Sequence, residues 1–368
     1  MLSLSLATLA CSNVEPAAPS AHVVAPEILN GTWIREADGT SMLNPQTSGL
    51  IAAKAGLWTI SDASADTSQI QRLHLLDKLT GEVLQRLGPM QLSESVQSSC
   101  FASYLTGRPD YEAIIAHPFL ANAWVLVTED ATRSEPLSAK CAQDYAQTGS
   151  TDYPTLLVEL RLVEDALLIS GVRAIQFDLD AGAGNLPNDG IEGMALGKNN
   201  MLYMGLEKDA EGKARIFEVL LSEGTFNGSV AFLPVTDAML NLPVFEQGAH
   251  PINGMDIYYP NEESPGYLLA AARNDNQLWV IDVSKLKPTV IVPLTFFSNN
   301  THESCQTRYE MDNASLEGVA VDGDTIFLIN DPWKRNYLKN VNCESEREKY
   351  ERMSPLLFSL PVKAQWFG

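Results

Sequence analysis

Apolar and polar residues alternate along most of this chain in short runs bounded by Gly, Pro, Asn and Asp. That is the pattern of half-buried strands, and no long stretch shows a helical period. One phrase recurs: a short polar residue or an acid, then a small residue, then an alternating apolar strand. It appears as Ser48-Gly49-Leu50, Glu112-Ala113-Ile114, Glu192-Gly193-Met194, Asn253-Gly254-Met255 and Glu317-Gly318-Val319, at steps of 64, 80, 61 and 64 residues. A second strand follows each start, at 57–61, 124–128, 201–206, 267–272 and 325–330. Third strands are predicted at 71–76, 155–162, 215–221, 277–283 and 355–361, and fourth strands at 82–87, 166–175, 229–235 and 288–294.

The last unit runs out of chain after its third strand, and Gly31-Thr32-Trp33-Ile34 can supply the missing one. The expectation is an all-β chain forming a single β-propeller of four-stranded blades over residues 27–368, closed by an N-terminal strand that hides the sheet edges. Five blades are counted. Six remain open if the 80-residue step conceals another, and a pair of β-sandwiches is the alternative.

The cysteines sharpen the repeat. Cys100 stands 12 residues before Glu112 and Cys141 stands 12 after Glu129, while Cys305 and Cys343 bear the same relation to Glu317 and Asp331. Four cysteines allow three pairings, and the duplication selects Cys100 with Cys141 and Cys305 with Cys343. A four-cysteine metal site lacks the short spacing such sites use.

In a propeller blade the inner strand starts on one face and the second strand returns to it, so these two ends meet on one rim. The starts are Ser48, Glu112, Glu192, Asn253 and Glu317, and the returns end at Asp62, Glu129, Glu207, Arg273 and Asp331. Both disulfides brace loops on the same rim. Glutamates aimed at one axis repel each other and raise each other's pKa unless a cation or an arginine compensates. Calcium suits such a ring, because it takes oxygen ligands and is plentiful outside the cytoplasm. The expected ligands are Glu112, Glu192, Asn253 and Glu317. The alternative is that the acids are solvated or paired with Arg273, Lys334 or Arg335. Asp256, three residues after Asn253, is a further candidate for the channel wall.

Of the 368 residues, 45% are hydrophobic and the net charge is −21. Nucleic acid and anionic membrane surfaces both need a basic footprint, so neither is expected as a partner. Residues 1–11 are apolar and end in Thr8-Leu9-Ala10-Cys11, like a bacterial lipoprotein signal whose cysteine becomes lipidated; residues 12–26 read as a Pro/Ala/Ser tether. The expectation is a cell-envelope protein, periplasmic or on the outer membrane, held to the membrane through Cys11. An even number of remaining cysteines agrees with export.

Gly190-Ile191-Glu192-Gly193-Met194-Ala195, and Leu316-Glu317-Gly318-Val319-Ala320-Val321-Asp322 with the strand ending at Asn330-Asp331, resemble a known blade signature. It belongs to the phytase-like propellers, including the SdiA-regulated and "esterase-like activity of phytase" families. The resemblance covers most of residues 48–362. It implies an exported calcium-associated propeller with an unidentified small-molecule or protein ligand, more than it implies catalysis. A calcium-dependent phosphoric-ester hydrolase and an envelope scaffold are the alternatives. True phytase propellers carry denser acidic clusters and more basic residues than Arg273, Lys334 and Arg335 supply here. Nucleophile signatures are weak: there is no G-x-S-x-G, and the five histidines form no spaced pair.

Overall fold

The computed structural model describes residues 21–129, 136–149, 153–183, 190–228, 231–244, 252–300, 302–312 and 314–367, without the side chains of Lys334 and Arg335. The proposed signal with Cys11, and the tether up to residue 20, lie outside the described residues.

The strands fall into five successive four-stranded units among the described residues. The first is Thr47–Ala53, Gly56–Ser61, Leu73–Leu76 and Val83–Leu87, paired in that order and all antiparallel. The second runs Tyr111–Ala116, Ala123–Thr128, Leu156–Val163 and Ala166–Gln176. The third is Ile191–Leu196, Met201–Leu206, Arg215–Leu220 and Thr236–Asp237. The fourth is Ile252–Tyr258, Tyr267–Ala272, Gln277–Asp282 and Val290–Asn299. The fifth takes Leu316–Asp322, Thr325–Asn330 and Leu356–Pro361 from the end of the chain and Glu27–Trp33 from its beginning.

The inner strands touch in a closed cycle, each one against the next and the fifth against the first. This is a β-propeller. Its core is divided the same way, with one apolar cluster between each adjacent pair of units. Sheets buried on both faces explain why the middle strands read as nearly continuous apolar runs. Three tryptophans serve these interfaces: Trp58 meets Trp124 at 5.4 Å between the first and second units, and Trp279 is fully buried.

Crowding at the axis explains the small residue in the recurrent phrase. A Cβ on Gly254 would stand 2.9 Å from Gly318 Cα, and one on Gly49 would stand 2.9 Å from Ala113 Cα. Inner strands this close leave no room for a side chain between them.

Glu27–Trp33 does more than fill the fifth sheet. Its C-terminal end pairs antiparallel with Leu356–Leu357, while Glu27–Gly31 pair parallel with Leu294–Ser298 of the fourth unit. His22–Val23, inside the expected tether, also pair with Val290–Ile291. One expected strand is assigned differently. Within 229–235, the described segment Phe232–Pro234 pairs parallel with the long outer strand of the second unit, and the fourth strand of the third unit is Thr236–Asp237. The outer edge of Ala166–Gln176 supplies the crossing chain's backbone partners at Ala174–Gln176.

Candidate functional site at the channel mouth

Each inner strand is irregular at the recurrent phrase. The pairing with the return strand skips at Ser48/Leu50, Tyr111/Ala113, Ile191/Gly193, Ile252/Met255 and Leu316/Gly318. Glu112, Glu192 and Glu317 therefore sit on β-bulges, which re-aim a side chain out of the regular alternation. Beyond four of the five ladders one more backbone bond closes the rim: Asp62 N–H to Gln46 O, Glu129 to Asp110, Glu207 to Gly190, and Asp331 to Ser315, at 2.8–2.9 Å. The residue after the return strand is thereby pinned beside the start of the inner strand.

These side chains converge on a cavity of about 560 Å³. Ser48, Asp62, Glu112, Glu129, Glu192, Arg273, Glu317 and Asp331, all expected on the rim, line it. Asn253 is fully buried behind them; its Nδ2 donates to Glu192 Oε2 at 3.2 Å, and its Oδ1 has no hydrogen-bond partner among the described residues. Glu207 is also buried, with a carboxylate oxygen within 4.8 Å of one on Glu129 and one on Glu192.

Asp256 lies elsewhere. It accepts the backbone N–H groups of Ile257 and Val321, both at 2.7 Å, and so fastens the fourth inner strand to the fifth. Burial, only partly offset by those two bonds, pushes its pKa up to about 7. The charged ends of Lys334 and Arg335 lie outside the described residues. Both disulfides form as paired above, with Cα–Cα distances of 5.7 and 5.8 Å. Each joins the loop into an inner strand to the loop leaving the return strand of the same unit.

Two arrangements of charge share the mouth. On one side Arg273 is ion-paired to Glu317, and its Nη2 lies 3.8 Å from Asp331 Oδ2. Burial opposes the charge on Arg273, but Glu317, Asp331, Glu192 and Glu112 around it raise its pKa. On the other side, Asp110, Glu112 and Glu129 bring carboxylate oxygens within 4.8 Å of one another, as do Glu129, Glu192 and Glu207. Burial, then the charges of Glu192, Asp110 and Glu129, holds the Glu112 carboxyl well above its usual range. Burial likewise raises Glu192 to about 7, although Arg273 and the Asn253 amide pull the other way. Asp62 is raised by burial and by Asp331 and Asp110, and Asp331 reaches about 6 through burial despite Arg273.

Asp110 completes the acid cluster and was not singled out from sequence. Its signal is comparative: the equivalent rim positions hold Gln46, Gly190 and Ser315, and only the second unit puts an acid there. The tyrosine of the duplicated Ser-Cys-x-x-x-Tyr phrase helps fix it, since Tyr104 Oη accepts the Asp110 N–H at 3.0 Å. Its counterpart Tyr309 accepts instead from Gln306 N, within its own loop. Of the described histidines, His117 pairs with Glu159 at 3.2 Å at the far end of its strand from the rim, and His74 is buried against Ser61. His250 lies outside the described residues.

No family model matches this chain, and no curated protein matches it. Among solved structures it is similar to a luciferin-regenerating enzyme at 11% identity, over 86% of this chain and 78% of that one, with a TM-score of 0.39. A glucose dehydrogenase matches at 12% identity over 87% and 96%, TM-score 0.39. An exo-β-1,3-galactanase from Clostridium thermocellum matches at 13% identity, TM-score 0.45, over 91% of this chain; the chain spans 62% of the galactanase's length.

Proposed function

We propose that this chain is an exported, lipid-anchored propeller that holds calcium at its channel mouth and recognises a ligand on the disulfide-braced rim. The observation that carries the reading is the acid-rich half of the mouth. Glu112, Glu129 and Glu192, all buried, crowd together with half-buried Asp110, and Arg273 is committed to Glu317 on the other side. Buried carboxylates this close cannot all ionise without a counter-charge. The donor set is all oxygen and includes Asn253 Oδ1, which has no partner among the described residues; it fits a hard cation and not a thiolate- or imidazole-preferring one.

Glu112 and Glu192 remain first among the ligands named from sequence, joined by Asp110 and Glu129, with Asn253 beside them. Glu317 is better placed as the partner of Arg273. Two disulfides, the resemblance to phytase-like blades and the Cys11 segment support an envelope location. The phosphoric-ester hydrolase is the weaker reading: of the basic residues expected to orient phosphate, Arg273 is already ion-paired, and the side chains of Lys334 and Arg335 lie outside the described residues.

Melting of the full chain in calcium and in chelator tests the proposal. Calcium is expected to raise Tm in the wild type and to do so much less in Glu192→Gln. A wild type indifferent to both additives overturns it. Phosphatase turnover that chelator abolishes and calcium restores would favour the hydrolase instead.

A further inference from the structure

The end of the propeller away from the mouth carries an apolar corner of its own. In the fourth unit, the turn between the third strand and the outer strand presents Leu286 at 83% exposed. Asp282, just before that turn, pairs with Tyr267, and Tyr267 pairs with Tyr258, so the turn lies at the opposite end of the blade from Asn253 and Arg273. Two other segments bring apolar side chains to the same corner: Met239 is 70% exposed and Val23 is 56% exposed. A single exposed apolar residue is ordinary, but three gathered from separate segments mark a contact surface.

The corner is firmly built. The Asp282 carboxylate accepts the backbone N–H groups of Ser284, Leu286 and Lys287 at 2.9–3.0 Å, which fixes the backbone that carries Leu286 outward. Asn241 ties the Met239 segment to this turn: its Nδ2 donates to Lys285 O at 3.3 Å, and its carbonyl accepts the Thr289 hydroxyl. Leu240 and Leu242 pack against the core on either side of it. His22 N–H donates to Thr289 O at 2.9 Å and joins the third segment.

What covers this corner follows from where the chain enters the fold. His22–Val23 pair parallel with Val290–Ile291, a strand that runs from the turn toward the mouth, so the chain joins the blade from the end away from the mouth. Cys11 precedes Ala21 by ten residues, a reach of at most roughly 35 Å. A lipid on Cys11 therefore keeps the corner close to the bilayer, where apolar side chains gain by burial among the acyl chains. Charge sets the character of the contact. The net charge of −21 repels an anionic surface, so the contact is local and apolar. The tip itself reads Lys285-Leu286-Lys287; the Lys287 ammonium is held by Tyr267 Oη at 2.9 Å and Phe367 O at 2.7 Å, and exposed Lys285 stays at headgroup level beside the leucine.

We infer that the corner formed by Val23, Met239 and Leu286 docks onto the lipid bilayer that holds the chain, and that the channel mouth faces away from it. The inference rests on the lipid anchor proposed above and is independent of the calcium site.

The lipidated full chain in phosphatidylcholine vesicles tests this, with an environment-sensitive fluorophore on Leu286→Cys, Met239→Cys or Trp333→Cys and a nitroxide on the lipid acyl chains. The labels at positions 286 and 239 are expected to shift to the blue and to be quenched, while the label at 333, on the wall of the mouth, is not. Leu286→Asp should lower the ratio of docked to undocked chain by about tenfold, read from the label at 239. All three positions are at least half exposed, so these changes leave the core intact. No quenching at 286, equal quenching at 286 and 333, or indifference to Leu286→Asp overturns the docking. Mass spectrometry of Cys11 reads the anchor separately: a lipidated chain whose label at 286 stays aqueous overturns the docking alone, and a chain without lipid on Cys11 overturns the anchor and the docking with it.

Discussion

The two sides of the channel mouth are built by the same strand geometry and solve the same charge problem differently. On the side of the fifth unit, Glu317 and Asp331 face Arg273, a cation supplied by the chain itself from the end of the fourth unit's return strand. On the side of the second and third units, Asp110, Glu112, Glu129 and Glu192 face each other. A repeated backbone therefore fixes where side chains meet, and single positions within the repeat decide whether the carboxylates that meet there face an arginine or one another.

The largest effect is expected from removing the built-in cation. Arg273→Met leaves Glu317 buried without its partner and should lower stability by about 3–5 kcal/mol, read from chemical denaturation. A loss below about 1 kcal/mol would mean that solvent already carries the pair.

The disulfides separate the two sides next. Replacing either pair with serines should cost about 4 kcal/mol in the chain-entropy view, since each closes a loop spanning 41 or 38 residues. Only the Cys100–Cys141 change should also weaken calcium binding, because its loop carries Tyr104, which accepts the Asp110 N–H. Equal losses of calcium affinity in the two variants would remove the asymmetry.

Acidity gives a smaller and reversible probe. Glu192 has a folded pKa of about 7 against an ordinary 4.5, so the folded state holds its proton more tightly than the unfolded state. Its contribution to stability is full below about pH 4.5 and is lost as pH rises through about 7, and Asp331, raised to about 6, acts with the same sign. In chelator the melting temperature should fall from pH 5 to pH 8. Saturating calcium should flatten or reverse that slope, because the cation displaces the protons. The same fall with and without calcium would show that the cation does not reach these carboxylates.

Asp256→Asn should do least, costing about 1 kcal/mol through weaker acceptance of the Val321 N–H and leaving calcium uptake unchanged.

Much of this was legible in the sequence because it rests on repetition. The recurrent phrase located every inner strand, the duplicated 12-residue spacing selected the disulfide pairs, and blade geometry brought eight of the expected rim residues to one cavity. What periodicity cannot show is partner choice among side chains that arrive together. Arg273 and Asn253 occupy the fourth unit's copies of the rim positions; one became the counter-ion of Glu317, and the other an amide donor to Glu192. Asp256 looked like channel wall from its spacing, yet its short side chain turned to the neighbouring strand's backbone. Asp110 sits two residues ahead of the phrase, where the other units hold no acid. The crossing of Phe232–Pro234 onto the edge of the second unit joins segments from different units, which no pattern within one unit shows.

The most direct measurement is calcium titration, by calorimetry on the full chain, of Glu192→Gln beside Glu317→Gln. The acid cluster away from the Arg273–Glu317 pair is expected to hold the cation, so Glu192→Gln should lose calcium binding by at least about tenfold while Glu317→Gln keeps it. Equal loss in both variants, or no calcium binding by the wild type, would contradict the account.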